Sequence, residues 1–214
     1  GINVRLCRLL ALCIGCGQCV AGEGPSGRRM RWDRFGQLKP EGPREWYRDR
    51  TVQFAQTCPF SPGARDEDML AAQLYPEALH VDARVGRFEA AYVGHAAEEG
   101  FRGAGSSGGM VSWVAAELWR GGMVDGVAHV APAHPQADGR YFAYRISRSE
   151  ADVRGGAKSR YYPIELSGVL DEIRAAPGRY AVIGVPCFIK SVHLAGASAP
   201  LLVVRTRYTL RLDW

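Results

Sequence analysis

The residues best suited to chemistry are three cysteines at steps of three, Cys13, Cys16 and Cys19. A fourth, Cys58, comes 39 residues later and is followed at once by Pro59. Cys-x2-Cys-x2-Cys with a remote Cys-Pro is the ligand spacing of a cubane iron–sulfur cluster, where four thiolates converge on one inorganic core. Gly15 and Gly17 lie between the ligands, where a backbone without Cβ can turn its amides toward sulfide. Pro59 stiffens the chain beyond the fourth ligand. A structural zinc site normally uses two Cys-x2-Cys pairs, or two cysteines with two histidines, and fits this spacing less well. A disulfide framework fits least, since six cysteines in 214 residues are sparse. A thioredoxin-type pair would need a strand before it and a helix after it.

Two further segments have phosphate-competent chemistry. Gly103–Gly109 is a Gly/Ser-rich loop running into an apolar-periodic stretch. Ser106 or Ser107 is placed to cap the following helix, and with Gly108 and Gly109 would present free amides and a positive dipole end to an anion. Any capped helix beside a glycine loop has the same appearance. The second segment, Gly155–Pro163, holds Lys158, Ser159 and Arg160 as phosphate donors and Tyr161 and Tyr162 as rings for stacking; a plain basic loop reads equally well. Cys187 stands at the end of an expected strand, just before a helix whose N-terminus would lower a thiol pKa; a buried structural cysteine is the alternative. His193 shares that helix and reads as a packed or surface histidine. Cys7 reads as an ordinary core or surface thiol.

These groups must be positioned by an α/β framework. Residues 36–40 predict a turn leading into a short extended piece. Glu67–Tyr75 predicts a short helix and Phe88–Gly94 a strand. Met110–Trp119 has apolar residues at 110, 111, 114 and 118, a helical face ended by Gly122. Strands follow over Val124–Val130, Tyr141–Ile146 and Tyr180–Val185, with helices over Ser149–Arg154, Leu166–Ala175 and Phe188–Leu194. That alternation predicts a mixed, largely parallel sheet flanked by helices, α/β in class and α+β overall, with ligands at the carboxyl ends of the strands. A small ferredoxin-like cluster segment is expected over residues 1–63 and a larger domain over 64–214.

Composition is ordinary for a soluble globular chain, 47% hydrophobic and 23% charged. No apolar run approaches the ~20 residues of a membrane span. The leucine-rich opening runs straight into the cysteine loop without a small-residue cleavage site, which argues against a signal peptide. The net charge of +5 suits anionic cofactor phosphates or an acidic partner as well as nucleic acid. Arg28, Arg29, Arg31 and Arg34, interleaved with Trp32 and Phe35, read as a solvated face or a docking surface for an electron-transfer partner, ahead of a nucleic-acid patch.

Taken together and in order, several blocks resemble the coenzyme F420 hydrogenase/dehydrogenase beta-subunit family. They are Cys13–Cys19 with Cys58-Pro59, Ser107–Ser112, Val124–Val127, Ser159–Tyr161 and Gly184–Cys187. The resemblance implies a flavoprotein oxidoreductase passing electrons between FAD, [4Fe-4S] clusters and a redox partner protein or small substrate; some members act on F420. It implies flavin contacts from the Ser107–Gly109 helix start and the Ser159–Tyr161 loop, and Cys187 as one ligand of a second cluster. Residues 64–214 would then be a flavin-binding domain. No cysteine follows Cys187, and residues 208–214 depart from the family's continuation, so a chain truncated or frame-shifted at its C-terminus is expected. Oxygen-labile clusters imply a reducing cytoplasm. Two other readings remain open: a ferredoxin-like electron-transfer module without flavin, and a zinc-stabilised basic protein that binds nucleic acid.

Overall fold

The structure, a computed structural model, describes residue 3 and residues 12–22, 27–48, 52–195 and 201–202. Cys7 and residues 208–214 lie outside the described residues.

The centre of the fold is a four-stranded sheet of β5 (Gly126–Pro132), β6 (Phe142–Ser147), β7 (Tyr180–Val182) and β8 (Leu201–Leu202), in the order β6-β5-β7-β8. β5 pairs antiparallel with β6 and parallel with β7, and β7 pairs parallel with β8. The sheet is therefore mixed and largely parallel, as the rhythm of the sequence predicts. Neighbouring residues of a strand face opposite sides, and here each side has its own core. Ala128 and Val182 pack with Leu166, Val169, Leu170 and Ile173, and with Phe188, Ile189 and Val192. Val127 and Ala181 pack with Ala115, Ala116, Val153 and Phe101. The first group of partners lies on α8 (Ser167–Ala175) and its Leu166 cap and on α9 (Pro186–Leu194). The second lies on α4 (Phe101–Ala104), α5 (Met110–Arg120) and α7 (Glu150–Gly155). Helices cover both faces, so β5 and β7 read as continuous apolar runs instead of alternating ones.

Local signals explain the element ends. Ser149 caps α7, its Oγ accepting from Asp152 N at 3.1 Å. Asp66 caps α3 (Glu67–Leu74) by accepting from Met69 N at 2.8 Å. At the amino-terminal end, β1 (Arg29–Trp32) and β2 (Leu38–Glu41) form an antiparallel hairpin. Its turn is fixed by Asp33 Oδ1, which accepts from Phe35 N and Gln37 N at 2.8 and 2.9 Å. Two short helices follow, α1 (Arg44–Arg48) and α2 (Val52–Thr57).

One expected strand is corrected. Only Gly86–Phe88 (β4) is extended and paired, with His80–Asp82 (β3). β4 stops there because its partner is three residues long, and Tyr92 and Val93 stand exposed. A further short helix, α6 (Pro135–Asp138), links β5 to β6. Among the described residues no helix is long and apolar enough to cross a membrane.

Candidate functional site

Cys13, Cys16, Cys19 and Cys58 all line one cleft of about 430 Å³, open mouth included. Between the cysteines the wall is largely apolar, from Leu12, Ile14, Pro40, Phe54, Pro59 and Phe60. The triplet loop is bent by two left-handed glycines, Gly15 (φ +74°) and Gly17 (φ +82°). At Gly15 a Cβ would stand 2.4 Å from the Leu38 carbonyl oxygen, so β2 and the loop touch backbone to backbone. At Gly17 a Cβ would meet Glu165 Oε2 at 2.5 Å. Cys58 comes from the end of α2, where its amide donates to Phe54 O at 3.0 Å.

This loop is built into the main core. Ile14, Cys16 and Ala21 pack against the α8–α9 side of the sheet. Leu166 N, at the start of α8, donates to Cys16 O at 2.8 Å, and Gly22 N donates to Asp171 Oδ1, in the middle of α8, at 2.6 Å. Glu165 is buried beneath, accepting from Arg140 Nη1 at 2.9 Å and from Ser167 N at 2.6 Å.

Among the described residues no cysteine is joined in a disulfide. Burial pushes the Cys16 thiol up to about 12, and the neighbouring charges of Cys58 and Cys13 add to the rise. Cys19 is raised well above the ordinary thiol range, first by burial and then by Cys16, Cys13 and Cys58. Among the described residues, no group of three or more His, Cys, Asp or Glu side chains gathers as a site for a single metal ion.

The second candidate site is assembled from two loops 53 residues apart. Ser159 N donates to Ser106 Oγ at 2.8 Å. Ser106, Ser107, Lys158, Ser159 and Tyr161 are all exposed, with Gly108 and Gly109 partly covered. The capping role expected of Ser106 or Ser107 is corrected: Gly109 is the N-cap of α5, with φ +74°, and no side chain bonds the first amides. Only glycine fits there, because a Cβ would lie 2.4 Å from Phe101 O. Ser106 is thereby released from the helix start to hold the other loop.

In that other loop Lys158 is the only non-glycine with positive φ among the described residues, at +84°, a conformation that concentrates at ligand sites. Arg160 lies over the Phe142 ring at 4.9 Å and donates from Nη2 to Ala157 O at 3.0 Å. Its Nε is buried with no partner among the described residues. Tyr162 is the hub of an aromatic group, edge-on to Trp32, Tyr141 and Phe142 at 5.9, 6.2 and 5.7 Å. The hairpin beside the cysteine loop therefore also touches the Lys158–Tyr162 loop.

An ion network that periodicity does not reveal props the Gly/Ser loop. Glu98 binds Arg120 at 2.7 Å and Arg154 at 2.8 Å, and accepts from Trp113 Nε1 at 3.2 Å. Arg154 stacks over Phe101, 3.6 Å from the ring centroid. Only the pairs within one helix, Glu150–Arg154 on α7 and Glu117–Arg120 on α5, had a sequence signal.

Cys187 lies in the first turn of α9 and is not part of the cysteine cleft. The expected lowering of its pKa is corrected: burial raises it, against backbone hydrogen bonds from Phe188 and its own amide that act the other way. Desolvation outweighs the helix end. The basic cluster is partly neutralised, since Arg29 and Arg31 share Glu41 at 3.0 and 3.3 Å.

The segment that joins the Gly/Ser loop, strands β5 and β6 and the Lys158 loop is similar to a known family. Residues 91–171 match the family of the coenzyme F420 hydrogenase/dehydrogenase beta subunit, N-terminal part. The motif resemblance named the same family. The matched span takes in Ser106–Gly109, Lys158–Tyr161 and the Leu166 anchor; the cysteine triplet, Cys58 and Cys187 lie outside it. This beta-subunit family is a class of oxidoreductase subunits, which supports an enzyme-related redox role. No curated protein matches the chain.

Proposed function

We propose that this chain is an iron–sulfur flavoprotein oxidoreductase of the beta-subunit type. It passes electrons between FAD, a [4Fe-4S] cluster and a reduced organic cofactor or substrate, F420 being one candidate, or a redox partner protein. The observation that carries this reading is the convergence of Cys13, Cys16, Cys19 and Cys58 on one cleft whose loop is bonded to the head of α8.

The donor set fits the cluster. Four thiols share the cleft, no carboxylate or imidazole among the described residues lines it, and soft sulfur ligands select iron–sulfur centres. Burying the Cys16 and Cys19 thiols disfavours bare thiolates, a cost that bound iron offsets. The buried Gln18 amide beside them has an oxygen with no partner among the described residues. When bound, the cluster supplies one-electron transfer and the flavin hydride chemistry.

The residues proposed to hold the flavin are Ser106, Ser107, Gly108, Gly109, Lys158, Ser159, Arg160 and Tyr161. The uncapped amides of α5 and the Lys158 ammonium suit a pyrophosphate. The Tyr161 ring, fully exposed, suits stacking on an aromatic ring system. Cys187 is kept as the candidate ligand of a second cluster. Residues 1–63 are proposed as the cluster segment and 64–214 as the flavin-binding domain, working in the reducing cytoplasm.

Anaerobic reconstitution with iron, sulfide and FAD tests the reading. About four irons, four sulfides and one FAD per chain support it. Iron and sulfide without FAD leave an electron-transfer module, and stoichiometric zinc from anaerobically purified protein points to a zinc-stabilised basic domain.

A further inference from the structure

The three cysteine carbonyls of the triplet are all held by donors from outside the loop, and two of those donors are cations. Lys39 Nζ, on β2, donates to Cys13 O at 2.5 Å. Arg28 donates from Nη2 to Gly22 O at 2.7 Å, and its Nη1 reaches Cys19 O at 3.4 Å. The third carbonyl, of Cys16, takes the neutral Leu166 amide. The placement of Lys39 is enforced by the backbone: the close approach of Gly15 to Leu38 O fixes β2 beneath the loop, one residue from the ammonium.

The local charge balance is uneven. Among the described residues, two carboxylates beside the loop have cations of their own, Glu165 with Arg140 and Asp171 with Arg174. On the hairpin, Arg29 and Arg31 share Glu41. Among the described residues neither Lys39 nor Arg28 is paired with a carboxylate; each donates to the backbone of the cysteine loop or its exit, and Arg28 also lies over the Trp46 ring at 6.0 Å. Both contacts are part-buried, so water screens them less than a surface charge.

Resting on the cluster reading above, we infer that Lys39 and Arg28 are positioning residues that raise the reduction potential of the cluster held by Cys13, Cys16, Cys19 and Cys58. Reduction adds one electron and one negative charge to the cluster, with no bond made or broken. A fixed cation close to the ligand carbonyls stabilises the reduced state more than the oxidised one.

The test is an anaerobic dithionite titration of the reconstituted full chain, followed by visible absorbance and by the electron paramagnetic resonance of the reduced cluster, beside iron counts. Lys39→Gln keeps a donor for Cys13 O and removes the charge; Lys39→Arg keeps both. The expected result is a reduced-to-oxidised ratio about tenfold lower for Lys39→Gln at fixed ambient potential, a fall of about 59 mV for one electron. Lys39→Arg should stay at the parent value, and Arg28→Gln should move in the same direction as Lys39→Gln. Full iron with an unchanged potential in both Gln variants overturns the inference. If Lys39→Gln loses its iron, recovery in Lys39→Arg supports the role of charge, and continued loss there counts against it. A parent chain that binds no iron and sulfide instead removes the cluster reading itself, before any variant is compared.

Discussion

The amide of Ser159 donates to the hydroxyl of Ser106 across 53 residues of chain, and this 2.8 Å bond ties together the two loops that carry the candidate flavin contacts. Both residues are exposed, so the bond contributes little to folding and much to the spacing of the loops. Ser106→Ala should therefore weaken FAD binding by about 1 kcal/mol, roughly fivefold in Kd, with the thermal midpoint nearly unchanged. Quenching of flavin fluorescence on titration measures the first, and a melting curve of the apoprotein the second. A large drop in melting temperature with unaltered FAD affinity would reverse that assignment.

The four cleft cysteines should behave as a set. Cys16→Ser and Cys58→Ser, though 42 positions apart, are each expected to abolish the visible iron–sulfur absorbance after reconstitution. Cys187→Ser, outside the cleft, should keep that absorbance and the associated iron. Retention of a full complement of iron and sulfide in Cys58→Ser would sink the four-cysteine site.

Two left-handed glycines separate backbone strain from collision. Gly15 (φ +74°) and Gly36 (φ +69°) have similar conformations, but a Cβ on Gly15 meets Leu38 O at 2.4 Å while one on Gly36 meets nothing within 4 Å. Gly36→Ala should cost about 1 kcal/mol, the strain alone. Gly15→Ala should cost about 3 kcal/mol or more, because backbone must shift, and should also impair iron uptake. Urea unfolding of the two apoprotein variants gives the comparison; equal losses would mean that β2 and the cysteine loop do not touch.

His129 sets a pH dependence away from both sites. It is buried, its Nε2 lies 2.7 Å from Ser147 Oγ, and its ring packs under Gly156. Burial lowers its pKa below 6.5, against the backbone of Val130 and the Asp152 charge, which act to raise it. The unfolded chain then binds a proton more readily than the native one, so stability falls as pH drops from about 6.5 toward the lowered native value and is level above it. Urea midpoints at pH 7.5 and 5.5 should differ in the parent and much less in His129→Gln. Carboxylates such as Glu98 and Glu150, whose pKa values are lowered by their arginine partners, contribute only at more acidic pH.

Much of the fold is legible because its signals are local. The apolar face of α5 and the alternation of strands and helices each depend on residues a few positions apart, and each predicts what the structure contains. The misreadings share a different cause. Ser106 and Ser107 resemble caps in any serine-glycine stretch, but the close approach of Phe101 O to Gly109 decides that the cap is a glycine. Residues 89–94 have strand-like composition, yet a strand needs a partner and β3 is too short to supply one. Cys187 does begin a helix, but the sequence does not say how deeply its sulfur is buried. The Ser106–Ser159 bond, the Glu98 network and the cations on Cys13 and Cys19 join segments that no periodicity connects.

The bond from Leu166 to Cys16 has one more consequence. It welds the first turn of α8 to the thiol loop, so whatever grips the sulfurs also braces a helix that closes one side of the sheet. A ligand bound in the cleft should then raise the resistance of α8 to unfolding. Iron starvation would register as a protein more readily cut near residue 166, well before any assay of turnover was run.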